Sequence, residues 1–391
     1  MSPRRVLLIS PQPFFQWRGS PIRVAFDAQA LVRLGYAVDL LTLPVGEPRD
    51  LPGVRVIRVP NLFGFRNVPI GPSFAKLCFD GLLLVWGLAL AARHRYAAVH
   101  GIEDGAAVGA FVALCGHAKL VFEKHSDPGS YRRGILRNGL MAVYAWVERC
   151  TVRRADAVIG TGPGLAEQIR AMRPRGSVLE IGDIPSSLAE ADTEKIAAIR
   201  AELRGDARAL LAAYVGSFAV YQGVDLMFAA IPKALEQTPR LRFAIIGGTA
   251  EEIEARRRAL RAAGAGHAVT FLGKIAPDTL PSYLAAADLL LSPRTAGVNT
   301  PLKLLDYFKA GGAVIATDVA ANRLIAGDET AVLTAPDAAA FADGIARAAR
   351  DAALRGRLAR NGRRLIAEKH NFDVFTRELG RCYAAILGDA P

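Results

Sequence analysis

Short apolar runs alternate with longer stretches of helical periodicity along the whole chain. In the first half, residues 5–10, 37–43, 54–58, 97–100, 119–122, 157–160 and 177–181 read as buried strands. Between them, residues 21–34, 73–95, 105–115, 134–154 and 164–170 carry helical spacing. The second half repeats the plan, with strands at 209–215, 242–246, 268–272, 289–291, 313–316 and 331–334. Its helices fall at 224–237, 250–262, 279–286, 301–310, 338–350 and 354–370. Strands alternating with helices in this way predict parallel α/β construction. Each half therefore reads as its own doubly wound sheet, and such sheets bind ligands outside the carboxyl ends of their strands.

A chain of 391 residues is too long for one ordinary core. The expected division is a Rossmann-like domain over residues 1–185, a polar connection over 186–205, and a second Rossmann-like domain over 206–370. A last helix over 371–391 is a candidate to cross back to the first domain. The four cysteines are scattered without a CxxC pair, which argues against a zinc site or a disulfide framework. The apolar run at 6–9 is too short for a signal-peptide core, and the longest apolar segment, 81–92, stops at Arg93 before it spans a bilayer. A reducing, cytoplasmic setting is the expectation.

Charge changes the picture. The first 180 residues hold 23 lysines and arginines against 13 acidic residues, so nearly all of the net charge of +12 lies there. A one-sided basic excess predicts an anionic partner. No helix-turn-helix, zinc or RNP pattern accompanies it, which argues against nucleic acid. Residues 74–95 and 131–154 instead mix Trp, Tyr and aliphatic side chains with Arg and Lys, as interfacial helices do. An anionic membrane surface, at the inner face of the cytoplasmic membrane, is the expected partner.

Candidate chemistry gathers at strand ends. The most informative stretch, residues 289–317, reads LLLSPRTAGVNTPLKLLDYFKAGGAVIAT. Its loop carries Arg294 and Asn299, and Thr300 is placed to cap a helix whose first turn holds Pro301 and Leu302. Lys303 and Asp306 lie three apart, on one side of that turn. Free helix amides and a lysine attract a diphosphate, while the carboxylate suits sugar hydroxyls. Ser217, Gln222 and Gly248 follow neighbouring strands of the same half.

In the first half, Gly19 precedes Ser20, which is placed as an N-cap before Pro21, but no GxGxxG is present, which argues against a dinucleotide oxidoreductase. His125 and Asp127 follow one strand and Glu103 closes the strand before it. A histidine with carboxylates can align a sugar or move a proton. There is no DxD and no metal-ligand spacing among the histidines, so no metal is expected. Diphosphate charge would then fall to Lys303, Arg294 and helix amides.

With these residues in place, the chain resembles a family 4 (GT4) glycosyltransferase of the two-domain GT-B fold. The likeness rests on Arg18-Gly19-Ser20-Pro21-Ile22, Leu34-Gly35-Tyr36, His125, Val215-Gly216-Ser217, Gly223-Val224-Asp225 and, above all, Thr300–Phe308 with Ala310-Gly311. The resemblance implies two Rossmann-like domains facing a central cleft, with a nucleotide sugar on the second and an acceptor on the first. It implies a retaining, metal-independent transferase without a cofactor, using a donor linked to UDP or GDP. The acceptor would be a lipid-linked or cell-envelope glycan or glycolipid. Two departures stand out. The family's paired glutamates fall at Val298 and Asp306, and its diphosphate-facing Arg and Lys at Ser217 and Gln222. A catalytically weak or inactive nucleotide-binding subunit of an envelope-glycan assembly is the alternative these departures leave open.

Overall fold

The computed structural model describes residues 3–17, 19–62, 64–66, 68, 73–126, 135–173, 177–297 and 300–388. Its contacts divide the chain into two units, Met1–Asp183 with Phe372–Pro391, and Ile184–Asn371.

The first unit is built on seven parallel strands, β1 (Arg5–Ser10), β2 (Ala37–Thr42), β3 (Val54–Arg58), β4 (Tyr96–Ile102), β5 (Lys119–Lys124), β6 (Ala157–Gly160) and β7 (Val178–Glu180). They run in the order β3-β2-β1-β4-β5-β6-β7, so the winding reverses between β1 and β4. Around them pack α1 (Gly19–Arg33), α2 (Phe74–Arg93), α3 (Gly105–Gly116), α4 (Ile135–Arg154) and α5 (Pro163–Met172). Leu7, Leu8 and Ile9 of β1 are wholly buried, as a central parallel strand requires. Buried charges enter this sheet on β2 and β5. Asp39 of β2 is buried and accepts hydrogen bonds from Arg5, Arg55 and Tyr96 at 2.6–3.1 Å.

The second unit opens with α6 (Thr193–Arg204), inside the passage read from sequence as a polar connection. Asp192 caps it, and Ile196, Ile199 and Leu203 recur at helical spacing on its packed side. Then follow β8 (Leu210–Val215), α7 (Val224–Gln237), β9 (Leu241–Ile246), α8 (Ala250–Ala262), β10 (Val269–Gly273), α9 (Leu280–Ala286), β11 (Leu289–Ser292), α10 (Leu302–Ala310), β12 (Ala313–Thr317), α11 (Ala320–Arg323), β13 (Ala331–Thr334), α12 (Ala338–Arg350) and α13 (Ala352–Lys369). The six strands are parallel in the order β10-β9-β8-β11-β12-β13. Met227, Phe228 and Ile231 cover one face of the sheet, and Leu304, Leu305 and Phe308 the other. The last helix, α14 (Phe372–Leu387), belongs to the first unit and packs along α1.

Three local expectations need correction. The α1 helix begins at Gly19, so Ser20 lies within its first turn and is not the cap. The α10 helix begins at Leu302, and Pro301, held extended at ψ 99°, takes the cap position expected for Thr300. The proline ring suits φ −77° there, and its carbonyl accepts from Leu304 N at 2.9 Å. Lastly, α2 is 20 residues long with a mean hydropathy of 1.7, so by length and composition a segment long enough to cross a bilayer does exist. Lys76 and Asp80 interrupt its first turns without lowering that mean enough to exclude it.

Candidate functional site

In the second unit the strand ends of β8 and β11 converge on Lys303. Its Nζ lies 4.4 Å from the Tyr214 ring centroid, away from solvent, and has no hydrogen-bond partner among the described residues. Tyr214 is held in turn, its hydroxyl donating to Ser217 O at 2.9 Å. Gly216, at φ +148°, leaves room for the ammonium, since a Cβ there would stand 2.9 Å from Nζ. Burial, and then the nearby Arg294 charge, pull the Lys303 ammonium down to about 7. A buried, unpartnered ammonium beside a second cation is a seat waiting for an anion.

Arg294 is buried and lies over the Tyr221 ring at 5.5 Å, with Nε donating to Ala296 O at 2.7 Å. Its carbonyl accepts from the Thr317 hydroxyl, which ties the loop after β11 to the end of β12. Gln222 sits in a short 3-10 turn before α7, and its Oε1 is buried without a partner among the described residues. The Ser217 carbonyl faces Tyr214, and Gly248, at φ +83°, lies against the Phe218 ring. Thr300 and Leu302 flank Pro301 at the start of α10. Asn299 lies outside the described residues, as does Val298.

Asp306 is hydrogen-bonded to the passage that precedes α6. Ser186 donates to its two oxygens, from the backbone N–H at 2.6 Å and from the hydroxyl at 2.8 Å. Burial pushes the carboxyl up to about 6 despite these bonds. Each oxygen keeps a further lone pair, so a sugar hydroxyl can still donate to it.

In the first unit the ends of β4 and β5 meet. Glu103, at φ +54°, turns so that its Oε1 accepts from His125 N at 2.8 Å. A positive φ at a non-glycine residue is the kind of backbone strain that collects at functional sites. Burial raises the Glu103 carboxyl above its usual range. His125 Nε2 lies 2.9 Å from Glu123 Oε1, and His100 Nε2 lies 3.0 Å from Glu123 Oε2. Burial alone would raise Glu123, but the Arg23 guanidinium and the two histidines outweigh it and hold the carboxyl well below its usual range. For His125 burial pulls downward, and Glu123 more than compensates, so the imidazole stays protonated above its usual range. Asp127 lies outside the described residues, as does Arg18 beside Gly19.

Sequence reasoning missed the groups that organise this cluster. Arg23 and Asp27, one helical turn apart on α1, are both buried, and Arg23 Nε lies 2.9 Å from Glu123. Two charges at i and i+4 inside an apolar helix were the available signal. Asp27, Glu123 and His125 bring ligand atoms within 4.8 Å of one another, a spacing fit for a metal. Arg23 already places its cation on both carboxylates, so this cluster is an ion-pair network. A cavity of about 20 Å³ lined by Glu103, Asp104, Tyr144 and Glu148 has room for one water and is too small for a sugar.

Comparison with known proteins follows the same division. Residues 18–181 match the model of a glycosyl transferase 4-like domain, and residues 209–351 match that of the glycosyl transferases group 1. The phosphatidyl-myo-inositol mannosyltransferase of Mycobacterium tuberculosis is 27% identical over 174 residues, covering 43% of this chain and 44% of that protein. The Mycolicibacterium smegmatis enzyme of the same name is 29% identical over 171 residues, 43% of this chain and 42% of that one. The matched stretch thus spans less than half of these relatives. Among solved structures, sucrose-phosphate synthase from Thermosynechococcus elongatus superposes with a TM-score of 0.76 at 24% identity, covering 97% of this chain and 98% of that one. The Anabaena protein HepE, solved with UDP and glucose, gives 0.73 at 17% identity over 97% and 99%. With the two domain models covering both halves in order and the fold matched end to end, the chain belongs to the family 4 glycosyltransferases of the GT-B fold.

Proposed function

We propose that this protein is a retaining glycosyltransferase that moves a sugar from a nucleotide-sugar donor to a lipid-linked acceptor at an anionic membrane surface. The observation that carries this reading is the unpartnered Lys303 ammonium beside Gly216. Its surroundings fit the pyrophosphate of a UDP- or GDP-sugar. As the bond to the leaving diphosphate breaks, negative charge grows on oxygens that Lys303, Arg294 and the first amides of α10 are placed to stabilise. Lys303 rests against the Tyr214 ring, and Arg294 is held by its hydrogen bond to Ala296 O. Asp306, ionised above about pH 6, takes sugar or ribose hydroxyls on the lone pairs that Ser186 leaves. The charge needed for the diphosphate comes from these side chains without a divalent ion.

His125 in the first unit is the group assigned to hold and align the transferred sugar, with Glu103 fixing its backbone. A lipid-linked acceptor is supported by relatives whose names specify phosphatidyl-myo-inositol. The membrane surface is supported by α2 and α3, which pack together and turn apolar side chains outward. Phe74 is 76% exposed, and Leu77, Val85, Phe111 and Leu114 are exposed too. Monomeric proteins seldom leave such a stripe to water, and the unit carrying it is the basic one.

Turnover of UDP-, GDP- and ADP-sugars in the presence of extracted membrane lipid tests the transferase. Release of nucleoside diphosphate that depends on the lipid supports it. Tight nucleotide binding without turnover would favour a binding subunit.

A further inference from the structure

We infer that the last helix of the chain is part of the catalytic apparatus: Tyr383 on α14 positions His125 through a buried chain of hydrogen bonds that passes through His100 and Glu123. The inference rests on the reading of His125 as the sugar-aligning group.

The chain is continuous. The Tyr383 hydroxyl lies 3.0 Å from His100 Nδ1, His100 Nε2 lies 3.0 Å from Glu123 Oε2, and Glu123 Oε1 lies 2.9 Å from His125 Nε2. Tyr383, His100 and Glu123 are fully buried, and His125 is 9% exposed. The direction of donation follows from the carboxylate. An ionised Glu123 only accepts, so both histidines present Nε2–H to it. With the proton of His100 on Nε2, its Nδ1 accepts a hydrogen bond from the Tyr383 hydroxyl. Tyr383 thereby sets the tautomer of His100, and His100 pins the carboxylate plane so that Oε1 keeps facing His125. Hydrogen bonding at Nε2 leaves Nδ1 as the nitrogen of His125 whose protonation changes.

A second side chain of the same helix reaches the same carboxylate. Phe375 lies two turns before Tyr383, with its ring centroid 4.4 Å from the Arg23 guanidinium, and Arg23 Nε in turn lies 2.9 Å from Glu123. Both oxygens of Glu123 are thus backed from α14. A phenylalanine at 383 would fill the same space, so packing alone does not call for the hydroxyl. Outer partners of this kind fix the orientation and basicity of the group they hold.

The test is a histidine titration of the full-length protein by long-range ¹H–¹⁵N NMR, with His125 assigned by its loss in His125→Gln. Arg23 and Asp27 of α1, Glu103 just after β4, Glu123 of β5 and Asp183 are the charged groups that act on this ring. In the wild type His125 holds the Nε2–H tautomer. Tyr383→Phe is expected to lower its midpoint by about half a unit or more and to broaden its tautomer signal. Cys382→Ala, which removes buried bulk from the same helix outside the chain, leaves the midpoint in place. Should Tyr383→Phe lose its fold, His100→Asn breaks the same chain from β4 and is read the same way. An unchanged His125 titration in the folded variant overturns the inference. Because the readout needs no turnover, a protein inactive toward every nucleotide sugar would sink the transferase reading and leave this result standing.

Discussion

Lys303 Nζ stands 4.4 Å from the Tyr214 ring centroid with no hydrogen-bond partner among the described residues. An ammonium buried this way is half neutral near pH 7 and becomes fully charged only when an anion joins it. Binding of UDP or GDP is therefore coupled to proton uptake. Affinity should fall as pH rises from about 7 to about 9, by up to tenfold per unit where free lysine is neutral and bound lysine charged. Titration calorimetry in buffers of different ionisation enthalpy measures both effects, and a flat profile would show that Lys303 does not meet the phosphates.

Asp306 gives the opposite readout, in stability. Its folded pKa, about 6, lies above the ordinary carboxylate value. Its contribution is therefore largest in acid and is lost as pH rises from about 4 through about 6. Urea unfolding of the wild type between pH 4 and 8 should show this decline, and Asp306→Asn should flatten it. Ser186→Ala, which removes one of the two donors, should cost about 1–2 kcal/mol.

In the first unit Asp39 is held below the usual carboxylate range, burial being outweighed by hydrogen bonds from Arg55, Tyr96 and Arg5. Its stabilisation is present above the unfolded pKa of about 4 and is lost as pH falls through the lower folded value. Asp39→Asn should cost about 2–3 kcal/mol, less than a fully buried pair, because Arg5 and Arg55 keep part of their length in water. A change below about 0.5 kcal/mol at pH 7 would show that this four-residue cluster is decorative.

Nearly every element was legible from the apolar periodicity, because parallel strands buried on both faces leave a continuous apolar run. The order of the strands across each sheet depends on long-range pairing that no local run encodes. Two errors came from capping. Ser20-Pro21 and Thr300-Pro301 both look like a cap followed by a first-turn proline, yet one helix starts earlier at Gly19 and the other later at Leu302. The α6 helix was hidden because its exposed face is charged and only three apolar positions mark its buried side. At the site, Lys303 and Arg294 were legible because a loop and a helix start place them locally. The Ser186–Asp306 and Tyr383–His100 bonds join residues 120 and 283 positions apart, and no local pattern encodes them.

The apolar face of α2 and α3 makes a separable claim. Wild-type protein should float with liposomes containing anionic lipid, and binding should weaken as salt rises. Leu77→Asp combined with Phe111→Asp, both at exposed positions, should reduce flotation about tenfold or more without lowering stability. Flotation unchanged by these charges would place any lipid contact elsewhere.

Thermal unfolding with a panel of UDP-, GDP- and ADP-sugars, run on the wild type and on Lys303→Met, tests the central claim most directly. At ligand concentrations near 100 times Kd, one nucleotide sugar should stabilise the wild type by about 2.7 kcal/mol, or roughly 5–10 °C for a unit of this size. Lys303→Met should lose most of that shift while remaining folded. A wild type that no nucleotide sugar stabilises, or a Lys303→Met variant stabilised to the same extent, would contradict the account.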